Sequence, residues 1–108
     1  MSTTNKEGRK RRQANEVAVE IIRVNGTHET ASVDRGNWLK QIEQLISASC
    51  LDSVDLRDGR IMFVDDLGYS RGLPDNAEAT ELYHKVCEPG TTHRIKGDVV
   101  IGRDEGFP

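Results

Sequence analysis

SVDLRDGRIMFVDDLGYSRGLPDNAEAT, residues 53–80, changes its hydrophobic pattern once, and that change decides the fold. Val54 and Leu56 precede Asp58-Gly59, and Ile61, Met62, Phe63 and Val64 follow it. Apolar, β-favouring runs on either side of Asp-Gly predict a hairpin closed by a tight turn. Asp66-Leu67-Gly68 then predicts a turn, and Pro74 restricts Leu73 to extended conformations. Beyond the proline, Asp75 and Glu78 have capping-box spacing. Ala79, Leu82, Tyr83 and Val86 form a stripe at helical spacing, which Pro89-Gly90 terminates. The stretch therefore predicts strand, strand, corner, helix.

Upstream the same grammar repeats. EVAVEIIRV, residues 16–24, is β-branched and alternating, with Val17, Val19 and Ile21 on one face and Ala18, Ile22 and Val24 on the other. It predicts a central strand. Asn25-Gly26 suits a type I′ turn, and THETASV, residues 27–33, predicts the return strand. Asp34 to Asn37 breaks the pattern, and Asn37 can cap a helix. Trp38, Leu39, Ile42, Leu45 and Ile46 then recur at helical spacing and place Trp38 in the core at the helix start. Downstream, HRIKGDVVIG, residues 93–102, predicts a last strand with Gly97 at a bulge or close approach. The order β-β-α-β-β-α-β predicts an α+β fold: one mostly antiparallel sheet with both helices packed on one face.

A chain of 108 residues predicts one domain. Residues 16–103 carry it. Residues 1–15 lack hydrophobic periodicity and read as a disordered basic tail, and residues 104–108 as a short C-terminal tail. Hydrophobic residues make up 35% and charged residues 31%, so the core is small and stands to gain from homo-oligomerisation. The net charge is −3. Five cations against Glu7 give residues 1–12 a charge of +4, which leaves −7 on the remainder. The basic cluster either touches phosphates or merely solubilises, and the acidic body argues against nucleic acid as the partner. No stretch is apolar enough to cross a bilayer, and the N-terminus lacks a secretory h-region. Cys50 and Cys87 have neither CxxC spacing nor zinc partners. A reducing cytoplasm with both thiols free is expected.

Catalytic signatures are missing. His28, His84 and His93 accompany no nucleophile elbow and read as surface or cap residues. Asp65 and Asp66 converge on a cation only if the chain turns there, since adjacent strand residues point oppositely. GYSRG lacks the lysine and the immediate helix of a phosphate loop. The expectation is a protein that is not an enzyme, with no metal and no cofactor. Binding chemistry is better represented. Arg57, Arg60, Arg71 and Arg94 lie at turns or strand ends and offer planar donors for phosphate. Phe63 and Tyr69 offer stacking surfaces, and Asn76, at a helix start, offers an amide for a base or ribose edge. Each has a plainer reading: Asn76 as a helix cap, Phe63 as core, the arginines as solvated charges.

Residues 17–102 resemble a small family of bacteriophage and mobile-element domains of unknown function. The resemblance lies in Asp58-Gly59, Asp65-Asp66, the Gly97 and Ile101-Gly102 strand, and above all Gly72-Leu73-Pro74-Asp75-Asn76-Ala77-Glu78-Ala79-Thr80. It implies an accessory, anti-defence protein. The architecture also looks like that of phage sponges that sequester cyclic-nucleotide immune signals without cleaving them, in pockets shared between subunits. That implies a small cyclic nucleotide as ligand in the cytoplasm of a bacterial host; the residues whose own chemistry suits it are Arg57, Arg71 and Arg94 for phosphate, Tyr69 or Phe63 for the base, and Asn76 to orient it. The alternative, from the body's charge of −7, is an acidic inhibitor or DNA mimic acting on a host defence protein.

Overall fold

The structure, a computed structural model, describes residues 15–107. The basic tail expected over residues 1–15 lies outside the described residues except for Asn15, as does Pro108. The elements are β1 (Glu16–Ile22), β2 (His28–Asp34), α1 (Trp38–Leu45), β3 (Leu51–Asp55), β4 (Arg60–Asp65), α2 (Ala77–His84) and β5 (Val99–Arg103). Short 3-10 turns occupy Arg35–Asn37 and Asp104–Gly106. The strands form one sheet in the order β2-β1-β5-β4-β3, with every neighbouring pair antiparallel. This is the α+β class and the antiparallel sheet that the sequence predicts.

The helices do not share a face. Ile21 lies opposite Val100, and Val100 opposite Phe63. These three pack with Val17, Val19 and Val33 under Ile42 and Ile46 of the α1 region. One residue along, Ile22 lies opposite Val99, and Ile101 opposite Met62. This second set packs with Val64, Leu56 and Ile95 under Ala79 of α2, flanked by Leu82, Tyr83 and Val86. Successive strand residues point to opposite faces, so α1 covers one side of the sheet and α2 the other. The expectation of a one-sided sandwich is corrected here. The physical reason is in the adjacent apolar pairs Ile21-Ile22, Met62-Phe63 and Val100-Ile101: a strand apolar on both sides needs cover on both. Burying each such side chain contributes about 1.5–3 kcal/mol.

Local features differ in detail from the expectation. The first hairpin is closed by Val24-Asn25-Gly26 rather than a two-residue type I′ turn. The Arg23 amide donates to Thr27 O at 2.9 Å, the Gly26 amide to Arg23 O at 2.9 Å, and Gly26 has φ +89°. A turn followed by a left-handed glycine is the common three-residue solution. Asn37 makes no side-chain cap bond. Asp34 caps instead, its Oδ1 accepting from the Gly36 amide at 2.9 Å to start the 3-10 turn that leads into α1. Residues 104–107 are not a tail. Phe107 completes an aromatic cluster with Trp38 and Phe63, centroids 5.1 Å from each. A Cβ added to Gly102 would sit 2.5 Å from the Phe107 ring.

Candidate functional site

The corner after β4 is where the chain departs from regular structure. Asp65 to Leu73 coils tightly: the Gly68 amide donates to Asp65 O at 3.1 Å, Arg71 to Leu67 O at 2.9 Å, and Leu73 to Gly68 O at 3.0 Å. A Cβ on Gly68 would stand 2.9 Å from Lys96 Cβ, so this coil rests directly on the strip that leads into β5. The strip is pinned from the other side by the start of α2. The Asn76 amide donates to Ile95 O at 2.8 Å. Thr80 Oγ1 donates to Asn76 O at 2.8 Å and accepts from the Ile95 amide at 2.9 Å. Gly97 has φ +87° and its amide donates to Pro74 O at 2.8 Å, while the Leu73 side chain occupies the space of its missing Cβ. Gly97 is therefore the close-approach position that the sequence predicts, and the regular strand begins only at Val99.

These contacts open a cleft of about 230 Å³ between the coil, the strip and the ends of β3 and β4. β3 and the end of β4 contribute Asp52, Asp65 and Asp66; the coil contributes Tyr69; the strip contributes His93, Arg94 and Lys96. Tyr69 is 54% exposed. Lys96 Nζ lies 4.9 Å from its centroid, within cation–π range. The His93 ring lies 4.9 Å away on Tyr69 and 5.6 Å away on Tyr83. The Arg94 amide donates to Tyr69 Oη at 3.1 Å. Asp75 ties the two cations together, receiving Lys96 Nζ at 2.5 Å and the Arg94 guanidinium at 3.0 Å. Lys96 first, and then Arg94, hold the Asp75 carboxyl below its ordinary pKa.

Of the six residues expected to hold a ligand, Tyr69 and Arg94 meet at this cleft. Arg71 stands behind it. Its guanidinium forms an ion pair with the Asp65 carboxylate, which is 1% exposed, and donates to Ser47 O at 3.0 Å. It lines a separate hollow of about 220 Å³ with Leu73, Pro74 and Asp98. Asn76 is corrected from ligand contact to frame. Its Oδ1 accepts from the Ala79 amide at 3.1 Å, and its Nδ2 donates to Ile22 O and Gly97 O, both at 3.0 Å. The side chain is 1% exposed with every polar atom engaged. Phe63 is core at 3% exposure and offers no face for stacking. Arg57 sits at the tip of the β3–β4 hairpin with φ +64°, its amide bound to Asp55 Oδ1 at 2.8 Å. The length of β4 separates that tip from the corner.

Lys96 and Asp52 as wall groups and Thr80 as a support are not foreseen from the sequence, which gives His93, Asp66 and Asp75 other roles: surface or cap, candidate cation ligand, and helix cap. Asp75 reads as a cap because capping-box spacing is local. The adjacent Asn76 takes the cap, which frees Asp75 to face the strip. Asp65 and Asp66 both line the cleft, but Asp65 is engaged by Arg71 and by the Leu67 amide at 2.8 Å. Among the described residues no three histidine, cysteine or carboxylate side chains gather as metal ligands. No helix among them is long and apolar enough to cross a membrane. No family model, no curated protein and no solved structure matches the chain.

Proposed function

We propose that the protein binds and sequesters a small cyclic nucleotide without cleaving it, acting in a bacterial cytoplasm as a phage-type anti-defence protein. The observation that carries the binding reading is the half-exposed Tyr69 ring, flanked by Lys96, His93 and Arg94 at the rim of the cleft. A half-exposed tyrosine beside cations suits a base and its phosphate, the base taking the place of the Lys96 or His93 side chain that lies on the ring. Asp75 is shared by two cations, so the Arg94–Asp75–Lys96 trio keeps a net positive charge. Arg94 contacts Asp75 through one of its terminal nitrogens, and its other N–H donors remain for phosphate oxygens. A cleft of about 230 Å³ suits one nucleoside unit. It falls below the ~300–1,000 Å³ usual for drug-sized ligands, so a cyclic dinucleotide would reach out to a second copy of the chain.

The anti-defence setting rests on the sequence resemblance alone, and above all on the Gly72–Thr80 block. Much of that block has a folding role: Leu73 packs on Gly97, Pro74 O accepts the Gly97 amide, Asn76 caps α2 and Thr80 anchors the strip. The acidic-inhibitor alternative draws less support. Glu29 and Asp98 pair with Arg23, Asp58 with Arg60, and Asp65 with Arg71. Asp104 lies at the hairpin end of the sheet, its amide bound to Gly59 O, whereas Asp66 lies at the corner end, so these two carboxylates stand apart. The test is titration calorimetry against cyclic mono-, di- and trinucleotides and cyclic ADP-ribose isomers, with chromatography of the ligand afterwards. Binding with the ligand recovered intact is expected. Absence of heat with every member overturns the reading, and recovery of a cleaved product overturns the non-catalytic part.

A further inference from the structure

We infer that the base this cleft accepts is guanine, an inference that rests on the nucleotide-binding reading above. The cleft is two-sided. Arg94 and Lys96 stand on the strip side, Tyr69 on the coil, and carboxylates on the β3–β4 side. Asp65 is closed to a ligand by Arg71 and the Leu67 amide. Asp52 and Asp66 remain. Among the described residues Asp52 Oδ1 accepts from its neighbour's amide, Ser53 N, at 2.9 Å, and Asp66 Oδ2 meets the Cys50 thiol at 4.0 Å. Neither has an ion-pair partner among the described residues.

An ionised carboxylate only accepts hydrogen bonds. A base set in the cleft beside Tyr69, with its phosphate toward Arg94 and Lys96, would therefore turn a donor edge toward Asp52 and Asp66 on the other wall. Guanine is the base that carries two adjacent donors there, the ring N1–H and the exocyclic amino group, matched to the two oxygens of one carboxylate. Adenine and cytosine present a single amino group beside a bare ring nitrogen, whose lone pair would face the carboxylate. Uracil presents one N–H between two carbonyl oxygens. Opposed charge on the two walls also fixes orientation, since a reversed ligand would set phosphate against carboxylate.

The experiment is calorimetry of the full chain with 3′,5′-cyclic GMP, cyclic IMP and cyclic AMP, each alone. Cyclic IMP keeps the N1–H and lacks the amino group. Cyclic GMP is expected to bind about tenfold or more tightly than cyclic AMP, the scale of one good bidentate contact, with cyclic IMP between them. Asp66→Asn and Asp52→Asn, both at exposed positions, are expected to bring the cyclic GMP to cyclic AMP ratio toward one. Equal affinity for the three nucleotides, or a preference for cyclic AMP, overturns the guanine inference and leaves nucleotide binding standing. Binding of none of them here or in the wider panel overturns both.

Discussion

Asn76 separates a frame residue from a ligand residue most sharply, and its contribution can be worked out bond by bond. In Asn76→Ala, α2 loses its cap bond to the Ala79 amide, worth about 1 kcal/mol. The Ile22 and Gly97 carbonyls each lose a buried donor at 3.0 Å, about 1 kcal/mol apiece. The expected loss is about 3 kcal/mol, a large part of the ~5–15 kcal/mol that holds a domain of this size together. Asn76→Asp is nearly isosteric and keeps the cap acceptor. It sets a second oxygen against the two carbonyls and buries a charge with no cation in contact, so at neutral pH it should cost at least as much as alanine. The sign of its pH dependence follows from burial, which raises the folded pKa of the new carboxyl above the unfolded ~3.9. Below that unfolded value the protonated acid donates to one carbonyl and stability returns; it is lost as pH rises through the folded pKa. Urea unfolding followed by Trp38, which sits in the aromatic cluster, reads both variants. With a urea slope of ~1–3 kcal/mol/M, 3 kcal/mol moves the midpoint by about 1–3 M. If Asn76→Ala lies within 1 kcal/mol of the native chain, or Asn76→Asp matches it at pH 7, the assignment of Asn76 to the frame is wrong.

Arg71→Ala leaves the Asp65 carboxylate buried without its cation. The expected cost is about 3 kcal/mol, the low end for breaking a buried pair because Arg71 is itself 39% exposed; a loss under 1 kcal/mol in chemical denaturation would refute the pairing. His28 places Nδ1 at 2.6 Å from Glu20 and Nε2 at 2.7 Å from Glu78, which raises its pKa above 6.5 through Glu78 first and Glu20 second. A raised histidine pKa stabilises the fold below about pH 6.5, and that contribution fades as pH climbs through the folded value; NMR titration of the ring should show the raised midpoint, and a midpoint at or below 6.5 would refute the bridge. Phe107→Ala removes the third ring of the aromatic cluster. Being only partly buried, it should cost about 2 kcal/mol, below the ~3–5 kcal/mol of a fully buried phenylalanine, and thermal unfolding unchanged from the native chain would show that residues 104–107 are a tail after all.

The strands, the helices and their order are legible because period and turn residues are local properties. What escapes a periodicity reading is which side each helix takes, although the adjacent pairs Ile21-Ile22 and Met62-Phe63 carry the signal. Alternation along EVAVEII suggests one buried face, and attention to alternation hides the doubled apolar positions that call for two. Phe107 escapes for a related reason: a lone aromatic in RDEGFP has no period, and only the space above Gly102 gives it a place. At the corner, Tyr69 and Arg94 are 25 residues apart and are joined by the Arg94 amide and the Gly68–Lys96 approach, neither of which leaves a pattern in sequence. Arg71 and Asn76 look equally exposed and equally chemical in sequence, yet Asn76 is buried among backbone partners and Arg71, itself 39% exposed, is held by the buried Asp65.

That division changes how mutagenesis at this corner must be interpreted. The cleft is shaped by residues that never touch its contents: Asn76 and Thr80 pin the strip, and Arg71 neutralises the wall carboxylate Asp65. On the binding reading proposed above, substituting any of them would weaken binding by loosening the frame, since groups held in place before the ligand arrives cost less to order on binding. Loss of affinity is therefore diagnostic only in a variant that keeps its stability. Tyr69→Ala meets that condition only where its urea midpoint stays near that of the native chain, which is measured first: the residue is 54% exposed, but its Oη accepts from the Arg94 amide and its ring meets Lys96 and His93. A bound ligand adds stability by RT ln(1 + [L]/Kd), about 2.7 kcal/mol at a hundredfold excess over Kd. With cyclic GMP at that excess, the native chain should gain this increment and Tyr69→Ala should not. An equal gain in both would place the ligand away from Tyr69, and with it would go the case for the cleft as the binding site.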